Sequence, residues 1–341
     1  MAEHSDPVIS IIIVNHNGMN CITGCLSSVL KSDFRDFEVI FVDNASKDDS
    51  IACAQKFADQ DTRVRILPQT IPLGPANGRN RGIEAAKGEY IVFLDNDTEV
   101  TAPWLTEMLK VLENNKNVGC VQSKLLLPDK KTLDTCGHYM SFLGFPFELG
   151  SNEIDHGQYN TEIEIFGARS AAMCVLRDAL VKAGVFDSDY FMHSEETDLC
   201  WRIWLAGYRI VYVPGSVVYH KRSGSASKAA RRMQYYEGAK NCTKTVLKNC
   251  GLLRLLYMAP LHLASWLCIA ILLCFRFRFN DAYAIIRGLA WDCTHIVRIY
   301  SDRKIIQEMR VIPDKELFHI MHGKLGVFGF LIKAFRWLSK T

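Results

Sequence analysis

The first half of the chain alternates short, largely apolar runs with stretches of helical spacing. Val8 to Val14, Val39 to Val42, Val64 to Leu67 and Tyr90 to Leu94 are rich in β-branched and aromatic residues, and turn-forming or polar residues bound them. Such runs predict strands buried on both faces of a parallel sheet. Between them, Asn20 to Leu30, a segment capped within Ser46 to Ser50 and running through Ala58, and Leu73 to Lys87 with Pro75 in its first turn predict helices. Strictly alternating strands and helices predict a doubly wound, mostly parallel α/β sheet. The pattern continues with a helix over Pro103 to Asn114 capped by Thr101, a strand over Val118 to Leu127, a strand over Ala171 to Leu176 and a helix to Ala183. Ser194 then predicts the cap of a helix running to Ala206 and ended by Gly207. Arg209 to Val213 predicts a strand closed by Pro214-Gly215, and Val217 to Tyr219 leads on to His220. Asp129 to Glu164 breaks the rhythm: it is polar, carries Tyr139, Phe142, Phe145 and Phe147, and has no period. Long irregular insertions more often form binding loops or lids than packed structure, so a recognition surface is expected there.

From Ala226 the spacing turns helical, which predicts a sheet domain over 1–225 and a helical, membrane-associating region over 226–341. Leu255 to Phe275 has no formally charged residue, and about 20 apolar residues suffice to cross a bilayer. Pro260, His262 and Ser265 interrupt it, and Lys244, Lys248, Arg254, Arg276 and Arg278 put positive charge on both flanks. That distribution favours lying on the cytoplasmic leaflet or dipping into it, with a single crossing left open. Leu325 to Leu338, where Lys333 and Arg336 stand among Phe328, Phe330, Phe335 and Trp337, predicts a second membrane-surface segment.

A length of 341 residues allows two domains, and a net charge of +3 is too mild to imply nucleic acid as a partner. The 12 cysteines are scattered without a CxxC pair, which predicts reduced thiols in a cytosolic compartment. The start MAEHSDPVIS has neither a basic n-region nor an apolar h-region, so the first strand is expected to open the fold.

Three stretches carry candidate chemistry. Asp95, Asn96 and Asp97 follow a buried strand, where open α/β sheets place their ligand crevice. Two carboxylates one residue apart suit a hard divalent cation, and equally a polar turn. In Leu73 to Lys87, Gly74, Gly78 and Gly82 recur every fourth residue and permit close packing, while Asn77, Arg79, Asn80 and Arg81 could meet a diphosphate near the helix start. Asp43, beyond the second strand, is either a turn residue or a carboxylate that hydrogen-bonds a base or ribose. Glu195 and Glu196 lie in the first turn of the helix after Ser194, and Asp198 and Arg202 form an i,i+4 pair. Glu196 shares a face with Leu199, Cys200 and Ile203, so partial burial is expected to raise its pKa into the range of a general base. No GxGxxG follows the first strand, which argues against dehydrogenase-type dinucleotide binding.

Taken in order, Val8–Asn15, Val39–Asp43, LGPANGRNRG, GEYIVFLDNDTEV, FGARSAAMCVLR, EETDLCWRIWLAGYRIVYVP and VVYHKRSGS resemble family 2 glycosyltransferases of the GT-A fold, especially their bacterial rhamnosyltransferase-like branch. The resemblance covers roughly residues 8–225. It implies an inverting transferase that moves a sugar, rhamnose among the candidates, from a dTDP- or UDP-linked donor to a glycan or polyprenyl-linked acceptor at the cytoplasmic membrane face. It implies Mg²⁺ or Mn²⁺ held by Asp97, Asp95 and His220, with Asn15, Asp43, Asn77, Arg79, Asn80, Asp95 and Asn96 around the donor. It places Glu196 at the catalytic base, with Glu195, Asp198 and Arg202 in support. Many members have Glu-Asp where this chain has Glu195-Glu196, which leaves the choice between the two glutamates open. The competing classes are a nucleotidyltransferase of similar sheet architecture, which would want a basic Gly-rich loop where Asn15-His16-Asn17-Gly18 stands, and a non-catalytic membrane-associated binding protein.

Overall fold

The computed structural model describes residues 6–222 and 227–322. The elements are β1 (Ile9–Asn15), α1 (Met19–Leu30), β2 (Phe37–Asp43), α2 (Ser50–Gln60), β3 (Val64–Pro68), α3 (Gly74–Ala85), β4 (Tyr90–Asp95), β5 (Thr98–Val100) and α4 (Trp104–Asn114). Next come β6 (Val118–Leu126), β7 (Leu133–Thr135), β8 (His138–Met140), β9 (Pro146–Glu148), β10 (Ile163–Glu164), β11 (Ala172–Leu176), α5 (Arg177–Ala183), α6 (Glu195–Leu205) and β12 (Arg209–His220). The rest is helical: α7 (Lys228–Asn249), α8 (Leu252–Phe275), α9 (Phe279–Thr294), α10 (Ile296–Met309) and α11 (Asp314–His322). The sheet runs in the order β10-β12-β6-β11-β4-β1-β2-β3. β1, β2, β3 and β4 pair in parallel, as do β6 and β12, while β11 runs antiparallel between β4 and β6.

Both faces of the central strands are apolar, as a sheet covered on both sides requires. Ile12, Ile40, Val42, Ile91 and Phe93 face one buried cluster, and Ile11, Ile13, Val39, Phe41, Val92 and Leu94 the other. The first cluster also takes in Val246, Cys250, Met258, Ile306 and Leu317, so the helices beyond residue 226 share the core of the sheet domain. The strand order reverses about β1, and the register sets Val14 beside Asp95 and Asn15 beside Asp43. A ligand crevice is expected at the carboxyl ends of strands where the order reverses.

Four local expectations are corrected. Pro214-Gly215 does not end a strand: β12 continues to His220 across an irregularity between Val213 and Val217, and its last residues pair with β5. Pro103 itself occupies the N-cap of α4, while the Thr101 hydroxyl donates to the Val217 carbonyl. Ser194 stands at the N-cap of α6 in a left-handed conformation and makes no side-chain cap; its hydroxyl meets Cys242 Sγ at 3.1 Å. The insertion over 129–164 is packed structure, with Leu133, Asp134, Cys136, His138 and Met140 buried. Its irregular spacing reflects short strands added at the sheet edge and a separate β8–β9 hairpin. The expected segment over Leu325 to Leu338 lies outside the described residues.

Candidate active site

The turn after β4 and the end of β12 meet because β5 pairs with β12, His220 standing opposite Thr98. His220 Nε2 lies 3.2 Å from Asp97 Oδ1 and 4.0 Å from Asp95 Oδ2. On the other side of the ring, His220 Nδ1 is 2.6 Å from Asp134 Oδ2, and Arg222 pairs with the same carboxylate. Asp134 therefore orients the imidazole and leaves Nε2 toward the two acids, the arrangement by which a carboxylate tunes a metal-ligating histidine. Burial opposes charge on His220, but the hydrogen bonds to Asp134 and Asp97 outweigh it and push its pKa up to about 10. One nitrogen and two carboxylates within 4.8 Å of one another fit a divalent cation such as Mg²⁺ or Mn²⁺. A second acidic group, Asp187, Asp189 and Asp302, is filled by Lys244 Nζ at 2.8, 2.6 and 3.3 Å.

Arg79, buried on α3, joins this cluster to the glutamates. Its Nη2 is 3.2 Å from Asp95 Oδ1 and its Nη1 2.9 Å from Glu195 Oε1. Glu196 turns to a different partner: Arg169 Nη1 lies 2.9 Å from Glu196 Oε1 and 3.3 Å from Glu148 Oε1. Both glutamates are 4% exposed. Their protonation separates in the opposite sense from that expected of Glu196. Burial, aided by the neighbouring Glu196 charge, raises the pKa of Glu195. For Glu196 burial is outweighed by the charges of Arg169 and Arg79, which hold it below the ordinary carboxylate range. The expectation weighed only desolvation and had no means of placing Arg169 beside it.

The remaining expected residues divide. Asn15 donates to Asp43 Oδ1 at 2.9 Å and accepts from Asn96 Nδ2 at 2.6 Å, so these three form one network beside Asp95. Gly18 leaves room for this network, because a Cβ there would lie 2.1 Å from Asn96 Nδ2 and 2.3 Å from Asn15 Oδ1 and displace both amides. Asp43 is wholly buried, bonded to the Ser46 hydroxyl and backbone N–H at 2.6 and 2.9 Å; in this conformation it acts as the turn residue and shapes the loop instead of reaching outward. Asn77 and Asn80 point away from the cluster, donating to the Ser188 and Phe186 carbonyls at 3.1 and 2.8 Å. Gly78 and Gly82 serve close packing of α3 on Val14 and Ile12. Asp198 and Arg202 are paired at 2.9 Å and tie α6 inward: Asp198 accepts from Asn249 at 2.8 Å, and Arg202 donates to the Val185 carbonyl at 2.8 Å. Asp134, Glu148 and Arg169 were not singled out from the sequence. FGARSAAMCVLR contains Arg169, but nothing in it marks that arginine above its neighbours.

A cation-type cluster and a buried glutamate pair, set at the carboxyl ends of the strands where a mostly parallel sheet reverses its order, define a nucleotide-diphosphosugar transferase architecture. The sequence pattern of "Glycosyl transferase family 2" matches residues 10–156 and that of "Glycosyl transferase family group 2" matches residues 90–297, and the chain belongs to this glycosyltransferase family. Glycosyltransferase GlyG of Streptococcus pneumoniae is 28% identical, over 64% of this chain and 72% of its own. The GalNAc(5)-diNAcBac-PP-undecaprenol beta-1,3-glucosyltransferase of Campylobacter jejuni is 30% identical, over 30% of this chain and 34% of its own. The chain spans from 25% to 72% of the length of the curated relatives it matches. The mannosyltransferase PcManGT from Pyrobaculum calidifontis, solved with GDP-Man and Mn²⁺, superposes with a TM-score of 0.54 at 17% identity, over 90% of this chain and 86% of that one. That likeness establishes the GT-A fold.

Proposed function

We propose that the protein is an inverting, divalent-cation-dependent glycosyltransferase that moves a sugar from a nucleotide donor to a glycan or lipid-linked acceptor at the cytoplasmic membrane face. The observation that carries this reading is Arg79, whose guanidinium bridges Asp95 of the cation-type cluster and Glu195 beside the second glutamate. Bound to Asp95, Asp97 and His220, the cation would neutralise the nucleoside diphosphate as it leaves. Asn15 and Asn96 line the donor side, and Asp43 holds the loop that frames it. Glu196, facing Arg169 and the β8–β9 hairpin, takes the proton from an acceptor hydroxyl. The new C–O bond then forms at the anomeric carbon as the bond to the diphosphate breaks on the opposite face, inverting the configuration. Glu195 and Arg79 position this glutamate relative to the cation site, and Asp198 with Arg202 fixes the helix that carries both. The Campylobacter relative's undecaprenol-linked substrate and the exposed apolar helix α8 support a lipid-linked acceptor.

The test is donor turnover by the full chain with dTDP-rhamnose, UDP-hexoses and GDP-mannose, with Mn²⁺, Mg²⁺ or EDTA, and with membrane lipid extract as acceptor source. Release of nucleoside diphosphate from one donor, abolished by EDTA and by Asp97→Ala, supports the reading and names the sugar. If no donor is bound or turned over under any of these conditions, the proposal fails.

A further inference from the structure

The residues of α8 sort onto two faces that are both apolar. Met258, His262, Trp266, Ala270 and Leu273 are buried along one side, and Leu253, Leu256, Leu267, Ile271 and Phe275 are exposed on the other. Leu253 is 83% and Phe275 78% exposed. A helix at the surface of a water-soluble body carries polar residues on its outer face, so this face requires an apolar cover.

The inner face shows what the helix cannot do. From Met258 to Leu273 it stays in contact with the protein over about 22 Å, at 1.5 Å per residue, which is most of a hydrocarbon core of about 30 Å. Its partners there are α9, α7 and the turn at the tip of the β8–β9 hairpin, with Trp266, Ala270 and Leu273 packed on Ala282 and Ile285 of α9 and on Ala239 of α7. His262 Nδ1 lies 2.7 Å from the Leu143 carbonyl and Nε2 3.2 Å from Thr243 Oγ1, while Phe145 stacks on the His262 ring at 4.7 Å. Were α8 to cross a bilayer, α7 would be drawn in with it, bringing Lys240, Lys244 and Lys248 and an irregular hairpin turn into hydrocarbon. Charged side chains and unpaired backbone at that depth are strongly disfavoured.

We propose, resting on the membrane reading above, that α8 is an in-plane helix of an anionic bilayer surface: its Leu253–Phe275 face sinks into the headgroup–acyl boundary and does not cross it. Arg276, exposed at the α8–α9 corner, and Arg287, exposed two turns further along α9, complement anionic lipid, and Phe277, Phe279 and Tyr283 extend the apolar face between them. The inner face meanwhile clamps the hairpin whose other end carries Glu148, the second partner of Arg169. The bilayer surface and the glutamate pair are thereby joined through one hairpin, which suits an acceptor that arrives with its lipid still in the membrane.

The chain's own thiols test the geometry. Cys268 and Cys274 are both exposed on α8, and six residues place them about 9 Å apart along the axis. The full-length protein, keeping one of these thiols at a time and with Cys293→Ser, is labelled with bimane and mixed with vesicles of phosphatidylcholine with or without phosphatidylglycerol. Lipids bearing a nitroxide at the headgroup, or at a shallow or deep acyl position, serve as quenchers. An in-plane helix gives the same depth for both thiols, with the shallow acyl quencher strongest, and sedimentation roughly tenfold weaker on neutral vesicles. Leu256→Ser with Ile271→Ser lowers sedimentation while soluble donor turnover persists. Depths that differ by most of the axial separation, with Cys268 deepest, would mean a crossing helix and overturn the proposal. A lipid-free dimer that shields both thiols and persists on vesicles would overturn it in favour of a second copy. Failure to sediment on either vesicle sinks the membrane reading itself, whereas sedimentation with split depths sinks only the in-plane geometry.

Discussion

Arg169 Nη1 lies 2.9 Å from Glu196 Oε1 and 3.3 Å from Glu148 Oε1, so one guanidinium joins the glutamate pair to the insertion hairpin. Burial alone would raise the pKa of Glu196; Arg169 is the largest influence opposing it, and the net displacement is downward. Arg169→Gln therefore raises the pKa of Glu196 and moves the acidic limb of the kcat/KM–pH profile to higher pH, and Arg169→Lys restores part of the shift. The sign for stability follows. A depressed carboxylate stabilises the fold above its unfolded value of about 4.3, and that contribution is lost as pH falls through the lower folded value. Arg169→Gln is thus destabilising near neutrality and much less so in acid. An unmoved acidic limb would show that Glu196 does not take the proton.

The two glutamates separate by their partners. Glu196→Gln is expected to lower kcat by about 10²–10⁴ with donor affinity retained, the range of general-base contributions. Glu195→Gln acts through Arg79 and Asp95, so its main effect falls on the apparent affinity for cation and donor. Calorimetric donor titration beside initial-rate kinetics distinguishes them. The reverse pattern would assign the base to Glu195.

Asp134 touches no residue of the glutamate pair, yet it sets the orientation of His220 through the 2.6 Å contact to Nδ1. Removing a carboxylate behind a ligating histidine weakens metal affinity about 10–100-fold. Asp134→Asn should therefore raise the Mn²⁺ concentration needed for half-maximal turnover by that factor, with the rate restored at saturating metal. Thermal unfolding in EDTA separates this from a general loss of structure. An unchanged metal requirement would mean that His220 is not a ligand.

The strand run was legible because both faces of β1, β2 and β4 are buried, so their positions are apolar apart from Ser10 and Glu38, which hydrogen-bond each other, and each strand ends on a polar residue. The Asp95, Asp97 and His220 group was legible only through the family pattern, since residues so far apart are brought together by β5–β12 pairing that spacing does not encode. Arg169 and Asp134 were missed for a related reason. One precedes an ordinary apolar strand and the other lies in an aperiodic insertion, and only tertiary packing gives either a partner. Asn77 and Asn80 stood in a stretch that reads as phosphate-binding, but their amides satisfy the backbone carbonyls at 186 and 188, a demand invisible from their own neighbourhood.

The seat of α6 on α7 is ionic and buried, and it makes the last prediction. Lys248 Nζ lies between Asp187 and Asp198, 3.0 Å from the latter, and Lys244 Nζ is 2.8 Å from Asp187 and 2.6 Å from Asp189. Both lysines are almost wholly enclosed. Truncating one partner of such a pair strands the other charge, which costs about 3–5 kcal/mol, whereas exposed pairs contribute little. Lys248→Met should therefore lower the denaturation midpoint of the full chain markedly, while Arg81→Met, which breaks the exposed pair with Glu84, leaves it nearly unchanged. The same network predicts acid sensitivity. Burial disfavours the charged form of Asp187, but Lys248 and Lys244 outweigh it and hold the carboxyl well below its ordinary range. Its stabilising contribution is full above the unfolded value of about 3.9 and fades as pH falls toward the folded one. Denaturation midpoints measured from pH 6 downward should fall below about pH 4 in the wild type, with a shallower fall in Asp187→Asn, which starts from a lower stability because its lysines are already unpaired. Since α6 carries Glu195 and Glu196, turnover in Lys248→Met should fall before global unfolding. Loss of both at one denaturant concentration would show that α7 supports the whole fold and not this helix in particular.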